Sequence, residues 1–506
     1  MAIEYNFSGK WDDYKALLRK FSLDSILRYA NAVSTKLCFG DGTKHSHTMV
    51  SIPIMAKGSG LWEKKPVLLT TWSLIDLAYN AVKATNDFHG RKLEYEEEFY
   101  VLCAANTNYL QTEERITINP IKKSPEFLFY VWGFSGEQFR MQNPSYIFDN
   151  AARELYMLFE LSKKDGELSI EQIIQNRTGM DWREITASVL LVWLCFSRAF
   201  DIRRIERIVK WDDQFRLENY RRVIEYYSTN YKEVRESALG RQIFYTKPYI
   251  QTQKGELLSI NCYLNLCLYE HCILWIIRDY FMEQGSQEFN IYFGELFEEY
   301  LSELFSYCLK EEQYEKIERV KNKKRADWKM EALGYKFLIE QKSSILRLSA
   351  KQQESDYRAT IDYSSKNVIK ALRQLEATEQ DFADGEYIKI VLLYEDYLPP
   401  SIIDLVFALE ECEVENDGRY WLMTIDEMER FLYTYKTNPS LFQKIVAERA
   451  GNNETNGKRS IGSLLSENGI DRNQYLEQEK LEHYKNITQE FLRAHLVYSG
   501  PENGIS

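Results

Sequence analysis

The stretch Arg325-Ala-Asp-Trp-Lys-Met-Glu-Ala-Leu-Gly-Tyr-Lys-Phe-Leu-Ile-Glu-Gln-Lys-Ser-Ser344 decides how this chain reads. It predicts two strands, Ala326 to Ala332 and Tyr335 to Ser343, joined at Leu333-Gly334, because glycine accepts the positive φ of a tight turn. Antiparallel pairing about that turn brings Asp327, at the start of one strand, beside Glu340 and Lys342 on the other. Side chains alternate faces along a strand, so Glu340 and Lys342 project the same way. Phe337, Leu338 and Ile339 around them are apolar, and a charge in such a run must be paired, metal-bound or at a cleft.

Two neighbouring carboxylates repel, which raises a pKa unless a cation lies between them. Mg²⁺ suits such a pair, since it takes oxygen ligands, keeps several waters and bridges substrate phosphates. Lys342 is placed to orient a water or to stabilise charge building on phosphorus. The hairpin before Asp327 carries Lys321, Lys323, Lys324 and Arg325, a basic run suited to a phosphate backbone.

The flanking sequence predicts an α/β unit. Upstream, Phe293, Leu296, Phe297, Tyr300, Leu301, Leu304, Phe305 and Cys308 form an apolar stripe at helical spacing, with Glu298 on its border. Tyr314-Glu-Lys-Ile-Glu-Arg-Val reads as a short strand. Downstream, a helix over roughly 364–380 carries Lys366, Lys370 and Gln374 along one face. The run Tyr387-Ile-Lys-Ile-Val-Leu-Leu-Tyr reads as a parallel strand buried on both faces. A helix at about 401–411 and a strand from Tyr420 to Ile425 follow. Asp426 and Glu429 suggest a capping box for the next helix.

These residues resemble the PD-(D/E)XK, or restriction-endonuclease-like, nuclease superfamily over about 290–430. Gly294-Glu-Leu-Phe-Glu298 is similar to the family's helical Gly-x-x-Phe-Glu element, Asp327 to its motif aspartate, and Glu340-Gln341-Lys342 to (D/E)-x-K. Ala326 stands where proline often precedes the aspartate. The resemblance implies an α/β nuclease core, a mixed sheet flanked by helices. It further implies Asp327, Glu340 and the Gln341 carbonyl as Mg²⁺ ligands with Mn²⁺ as a substitute, Glu298 as an assisting carboxylate, and Lys342 serving the nucleophile. Lys366, Lys370 and Gln374 would then face nucleic acid or the site. The expected activity is endonucleolytic hydrolysis of DNA, of the restriction or phage-defence kind. Two other readings stand beside it: a non-catalytic nucleic-acid-binding or assembly subunit, and an RNA-directed nuclease.

The rest of the chain sets the context. Its 506 residues are 44% hydrophobic and 28% charged, a globular composition with ample length for a core. The net charge of -12 means that nucleic-acid contact must come from a local basic patch. The eight cysteines include no Cys-x-x-Cys pair and read as buried thiols of a reducing, cytoplasmic protein. The first residues lack the pattern of a signal peptide, and the most apolar segments, 185–197 and 259–281, read as buried helices. His45 and His47 have no nearby partners at zinc spacing, and His271 reads as a core histidine. No phosphate-cradling glycine loop with a lysine is present.

Residues 1–285 read as a mainly helical N-terminal half with a recognition or regulatory role, with short strands at 49–55, 97–104 and 126–133. Residues 286–436 form the nuclease-like unit, and 437–506 a linker with a helix at roughly 474–496. Expected partners are nucleic acid and a second copy or partner protein, with no membrane.

Overall fold

The computed structural model describes residues 9–497 except 40–46, 56–61, 85–89, 119–125, 132–139, 141–145, 165–168, 198–201, 253, 286–287, 319, 321–324, 346–356, 383–384, 396–397, 399–401 and 452–458. The chain is mixed α/β, with a mainly helical N-terminal half. Helices that matter below are α1 (Leu23–Phe39), α2 (Glu96–Ile118), α3 (Tyr146–Phe159), α4 (Ile170–Thr178), α5 (Trp182–Ser197) and α6 (Cys262–Gln284). Between them lie a hairpin of β1 (His47–Met55) and β2 (Trp62–Thr70), and a small sheet of β3 (Ser228–Asn230), β4 (Tyr249–Gln251) and β5 (Leu257–Ser259). Among the described residues no helix is long and apolar enough to cross a membrane.

The expected strands at 97–104 and 126–133 are corrected. The first lies inside α2, and residues 126–131 are helical. Residues 101–106 are buried without interruption, so the polar face that would reveal a helical period is missing there. Glu96, Glu97 and Glu98 in the first turn suit the positive end of the helix dipole.

The C-terminal half opens with α7 (Glu288–Cys308), whose apolar stripe is buried as its spacing predicts. A five-stranded mixed sheet follows, built from β6 (Tyr314–Lys316), β7 (Trp328–Ala332), β8 (Tyr335–Lys342), β9 (Ile388–Leu393) and β10 (Tyr420–Thr424) in the spatial order β10-β9-β8-β7-β6. β8, β9 and β10 run parallel, while β7 and β6 are antiparallel to their neighbours. Leu333 (φ 51°) and Gly334 (φ 81°) both occupy the left-handed region. Two such residues make the turn whose twist matches a two-residue hairpin. The register Trp328↔Ile339 through Ala332↔Tyr335 follows from that turn.

The two faces of the sheet pack against different layers. Phe337 and Ile339 join a core that also holds Leu27, Leu155 and Ile273 of the N-terminal half, Phe297 and Tyr300 of α7, and Leu492 near the C-terminus. The segments 1–285, 286–436 and 437–506 therefore share one core. Leu338, Val391 and Leu393 face a second cluster with Leu372 and Leu375 of α8 (Lys370–Phe382). α8 continues from a π-helical turn, Ser364–Ile369, itself preceded by a helix at Tyr357–Tyr363.

The capping box of α9 (Ile425–Thr437) is formed by Thr424 and Glu427, which corrects the expected Asp426 and Glu429. Glu429 instead lies fully buried, paired bidentately at 2.6 Å with Arg153 of α3 and bonded by the Tyr300 hydroxyl and the Asn473 amide. The last helix, α10 (Glu479–His495), packs Leu481, Tyr484 and Leu492 onto α3 and α5.

A candidate metal centre on the mixed sheet

The site is built on β8 and the residue that enters β7. The Asp327 N–H donates to the Ile339 carbonyl across 3.1 Å, which carries the hairpin register one step past the strand and sets Asp327 opposite Glu340. Glu340 and Lys342 pair with Val391 and Leu393 of β9, so their side chains share the α8 face of the sheet. Asp327 Oδ2 accepts the Gln341 main-chain N–H at 3.0 Å. The N–H and C=O of one strand residue point to the same edge, so the Gln341 carbonyl is aimed toward the Asp327 side. Its side chain is held on the opposite face, where Gln341 Oε1 accepts from Trp328 Nε1 at 2.9 Å.

Lys342 Nζ makes an ion pair with Glu340 Oε1 and reaches Gln374 Oε1 of α8 at 3.3 Å. Gln374 in turn donates to the Arg325 carbonyl at 3.0 Å, and Thr378, also on α8, accepts the Ala326 N–H at 2.7 Å. Two bonds from one helix thus clamp the backbone leading into Asp327. Lys366 and Lys370, expected beside Gln374, do not share its setting: Lys366 is paired with Asp362 at 2.7 Å, and Lys370 is exposed. Lys366 lies inside the π-helical turn, which shifts it off the face of Gln374, while Lys370 is the first residue of α8.

Glu298 approaches from α7 on the other face of the sheet, where Lys316 of β6 makes an ion pair with it. Arg325 is engaged by Asp381 through two bonds of 3.0 and 2.9 Å. Lys321, Lys323 and Lys324 lie outside the described residues. Lys316, Trp328 and Thr378 were missed as parts of the site. Trp328 had a signal, because register places it on the face of Gln341.

Electrostatics mark the pair as strained without a cation. Burial, then the neighbouring Asp327 charge, push the Glu340 carboxyl up to about 8, even though Lys342 pulls the other way. Burial likewise raises Asp327 above the usual carboxyl range; the Gln341 N–H and Lys342 oppose the rise, while the charge of Glu298 adds to it. Glu340 Oε2 is buried and has no hydrogen-bond partner among the described residues.

Among the described residues no group of three or more His, Cys, Asp or Glu side chains is arranged to hold a metal ion. The candidate set is therefore two carboxylates and a main-chain carbonyl, with solvent or substrate oxygens to complete a shell. That donor set fits Mg²⁺, which takes few protein oxygens and keeps its waters. The orphaned Glu340 oxygen beside a second raised carboxylate is what such an ion would satisfy. Comparison of the chain with protein-family models, curated proteins and solved structures finds no match.

Proposed function

We propose that this chain is a Mg²⁺-dependent endonuclease hydrolysing phosphodiester bonds in DNA, in a restriction or phage-defence role, with Mn²⁺ able to substitute. The observation that carries the reading is the cross-strand juxtaposition of Asp327 and the partnerless Glu340 oxygen, with Lys342 on the same face. Asp327, Glu340 and the Gln341 carbonyl would hold the ion, which would supply charge neutralisation at phosphate and a more acidic water. Lys342 lies two residues along the strand from Glu340, where its N–H donors can hold the attacking water or a non-bridging phosphate oxygen. Gln374 fixes that ammonium group in place. Hydrolysis then proceeds in one displacement at phosphorus, with no covalent bond to the protein.

The test is cleavage of duplex DNA, single-stranded DNA and RNA in Mg²⁺, Mn²⁺ and EDTA, by wild type and by Asp327→Asn and Lys342→Met. The reading expects metal-dependent DNA cleavage that both substitutions abolish without unfolding the chain. Cleavage confined to RNA would redirect it to an RNA nuclease. One observation favours a non-catalytic binding subunit: Lys342 and Glu298 are each engaged by an internal partner. That alternative expects salt-sensitive DNA retention with no cleavage in either metal.

A further inference from the structure

Helices α4, α5 and α6 and the helix Leu217–Tyr226 surround a cavity of about 210 Å³ that phosphodiester hydrolysis does not use. Its floor is apolar, lined by the buried Met180, Ile185, Val223 and Ile276. Clefts that take drug-sized ligands run to roughly 300–1,000 Å³, so this one suits a single flat ring system. Tyr226 stands at the rim, 64% exposed, and its ring is held edge-on against Tyr227 with centroids 4.9 Å apart. An aromatic face left in water at the mouth of an apolar slot is a platform for another ring. The rim also carries a donor and an acceptor. Thr178 ends α4, so its carbonyl has no partner within the helix, and Arg222 Nη2 donates to it at 2.9 Å. That bond orients the guanidinium, and among the described residues Arg222 forms no ion pair. Arg177, also lining the cavity, is engaged by Glu283 through bonds of 2.7 and 3.0 Å. Asp279 of α6 lines the cavity too, and its carboxylate accepts no hydrogen bond among the described residues.

We propose that this cavity is a binding site for a guanine base. The argument is one of complementarity. A flat ring fills the apolar slot and stacks on Tyr226, as bases stack on exposed aromatic side chains. A guanidinium with free donors calls for ring acceptors, and a carboxylate calls for ring donors. Guanine offers both on adjoining edges: O6 and N7 accept from an arginine fork, and N1–H with the exocyclic amine donates to a carboxylate. Adenine presents an acceptor where Asp279 needs a donor, and the pyrimidines leave more of the slot unfilled. Arg222 and Asp279 therefore read the base, while Tyr226 and the floor hold it without regard to identity. The occupant is guanine, carried either by a free nucleotide or by an unstacked residue of a single strand. The site does not rest on the nuclease reading, since binding here needs neither the metal nor Asp327 and Glu340.

The test is calorimetric titration of the full chain in EDTA, where hydrolysis is silent, with guanosine, GMP, AMP, CMP and UMP. A second arm titrates short single strands of thymidine with and without one central deoxyguanosine. Saturable binding of guanosine and GMP, at least about 10-fold tighter than AMP, CMP or UMP, is the expected result for a free nucleotide. Saturable binding confined to the strand that holds the guanine identifies an unstacked base as the occupant. Tyr226→Ala is expected to weaken binding by about 10-fold through lost stacking. Asp279→Asn is expected to remove the preference for guanine over adenine. Both side chains are exposed, so both variants should keep the wild-type melting midpoint. No saturation by any of these probes up to about 1 mM, equal affinity for the four nucleotides, or wild-type binding in both variants overturns the proposal.

Discussion

Replacing Glu340 by glutamine tests the strain in the carboxylate pair without using activity. The folded protein holds the Glu340 proton from the usual 4.5 up to about 8. A folded value above the unfolded one means that the native state binds the proton more tightly. Its contribution to stability is full below about pH 4.5 and is lost as pH rises through about 8. At about 1.4 kcal/mol per pH unit, the metal-free protein loses on the order of 5 kcal/mol over this window. Glutamine keeps the shape, leaves an oxygen to accept from Lys342 and offers an amide N–H toward Asp327. Urea unfolding of both proteins in EDTA, from pH 5 to 9, should give curves that separate with rising pH, the variant becoming the more stable. Adding Mg²⁺ at a hundredfold excess over its Kd should recover about 2.7 kcal/mol for wild type and much less for the variant. Parallel pH curves with no divergence would refute the reasoning, because Glu340 would then ionise in the fold without cost.

Other perturbations probe the supports of the site. Leu333→Asn should stabilise the chain by about 1 kcal/mol in thermal or urea unfolding, because an exposed leucine at φ 51° gives way to a residue that tolerates the left-handed region; an unchanged midpoint contradicts the assigned turn. Gln374→Ala should leave the fold intact and lower kcat for DNA cleavage by about 10- to 100-fold, through a less ordered Lys342; wild-type kcat would remove Gln374 from the site. Glu429→Gln should cost about 3–5 kcal/mol, since it leaves the buried Arg153 guanidinium without its counter-charge; a loss under about 1 kcal/mol on denaturant unfolding would show that the pair does not tie the N-terminal half to the sheet.

The hairpin was legible because two local rules coincide. A two-residue turn with glycine fixes the register, and strand alternation fixes the face, so Asp327 opposite Glu340 follows from counting. The stripe of α7 and the doubly buried β9 were legible for the same reason, as periodic patterns written in consecutive residues. What escaped was non-local. Arg153 and Glu429 are 276 positions apart, and nothing near either one announces the other. The Arg325–Asp381 ion pair joins residues 56 positions apart and has no local signal either. Glu298 read as a site carboxylate, while Lys316, on the edge strand, claims one of its oxygens. Helical counting from 366 assumed a constant turn, and the π-helical segment that holds Lys366 changes the pitch there, while Lys370, one regular turn before Gln374, is exposed. Burial on all sides hid the helical period of α2, so a helix read as a strand.

The most direct measurement is anomalous diffraction from crystals soaked in Mn²⁺. The account predicts a peak between the Asp327 and Glu340 carboxylates, weakened or lost in Glu340→Gln. Ordered side chains at that position with no peak in well-soaked wild-type crystals, or Mn²⁺ bound only elsewhere on the chain, would contradict it.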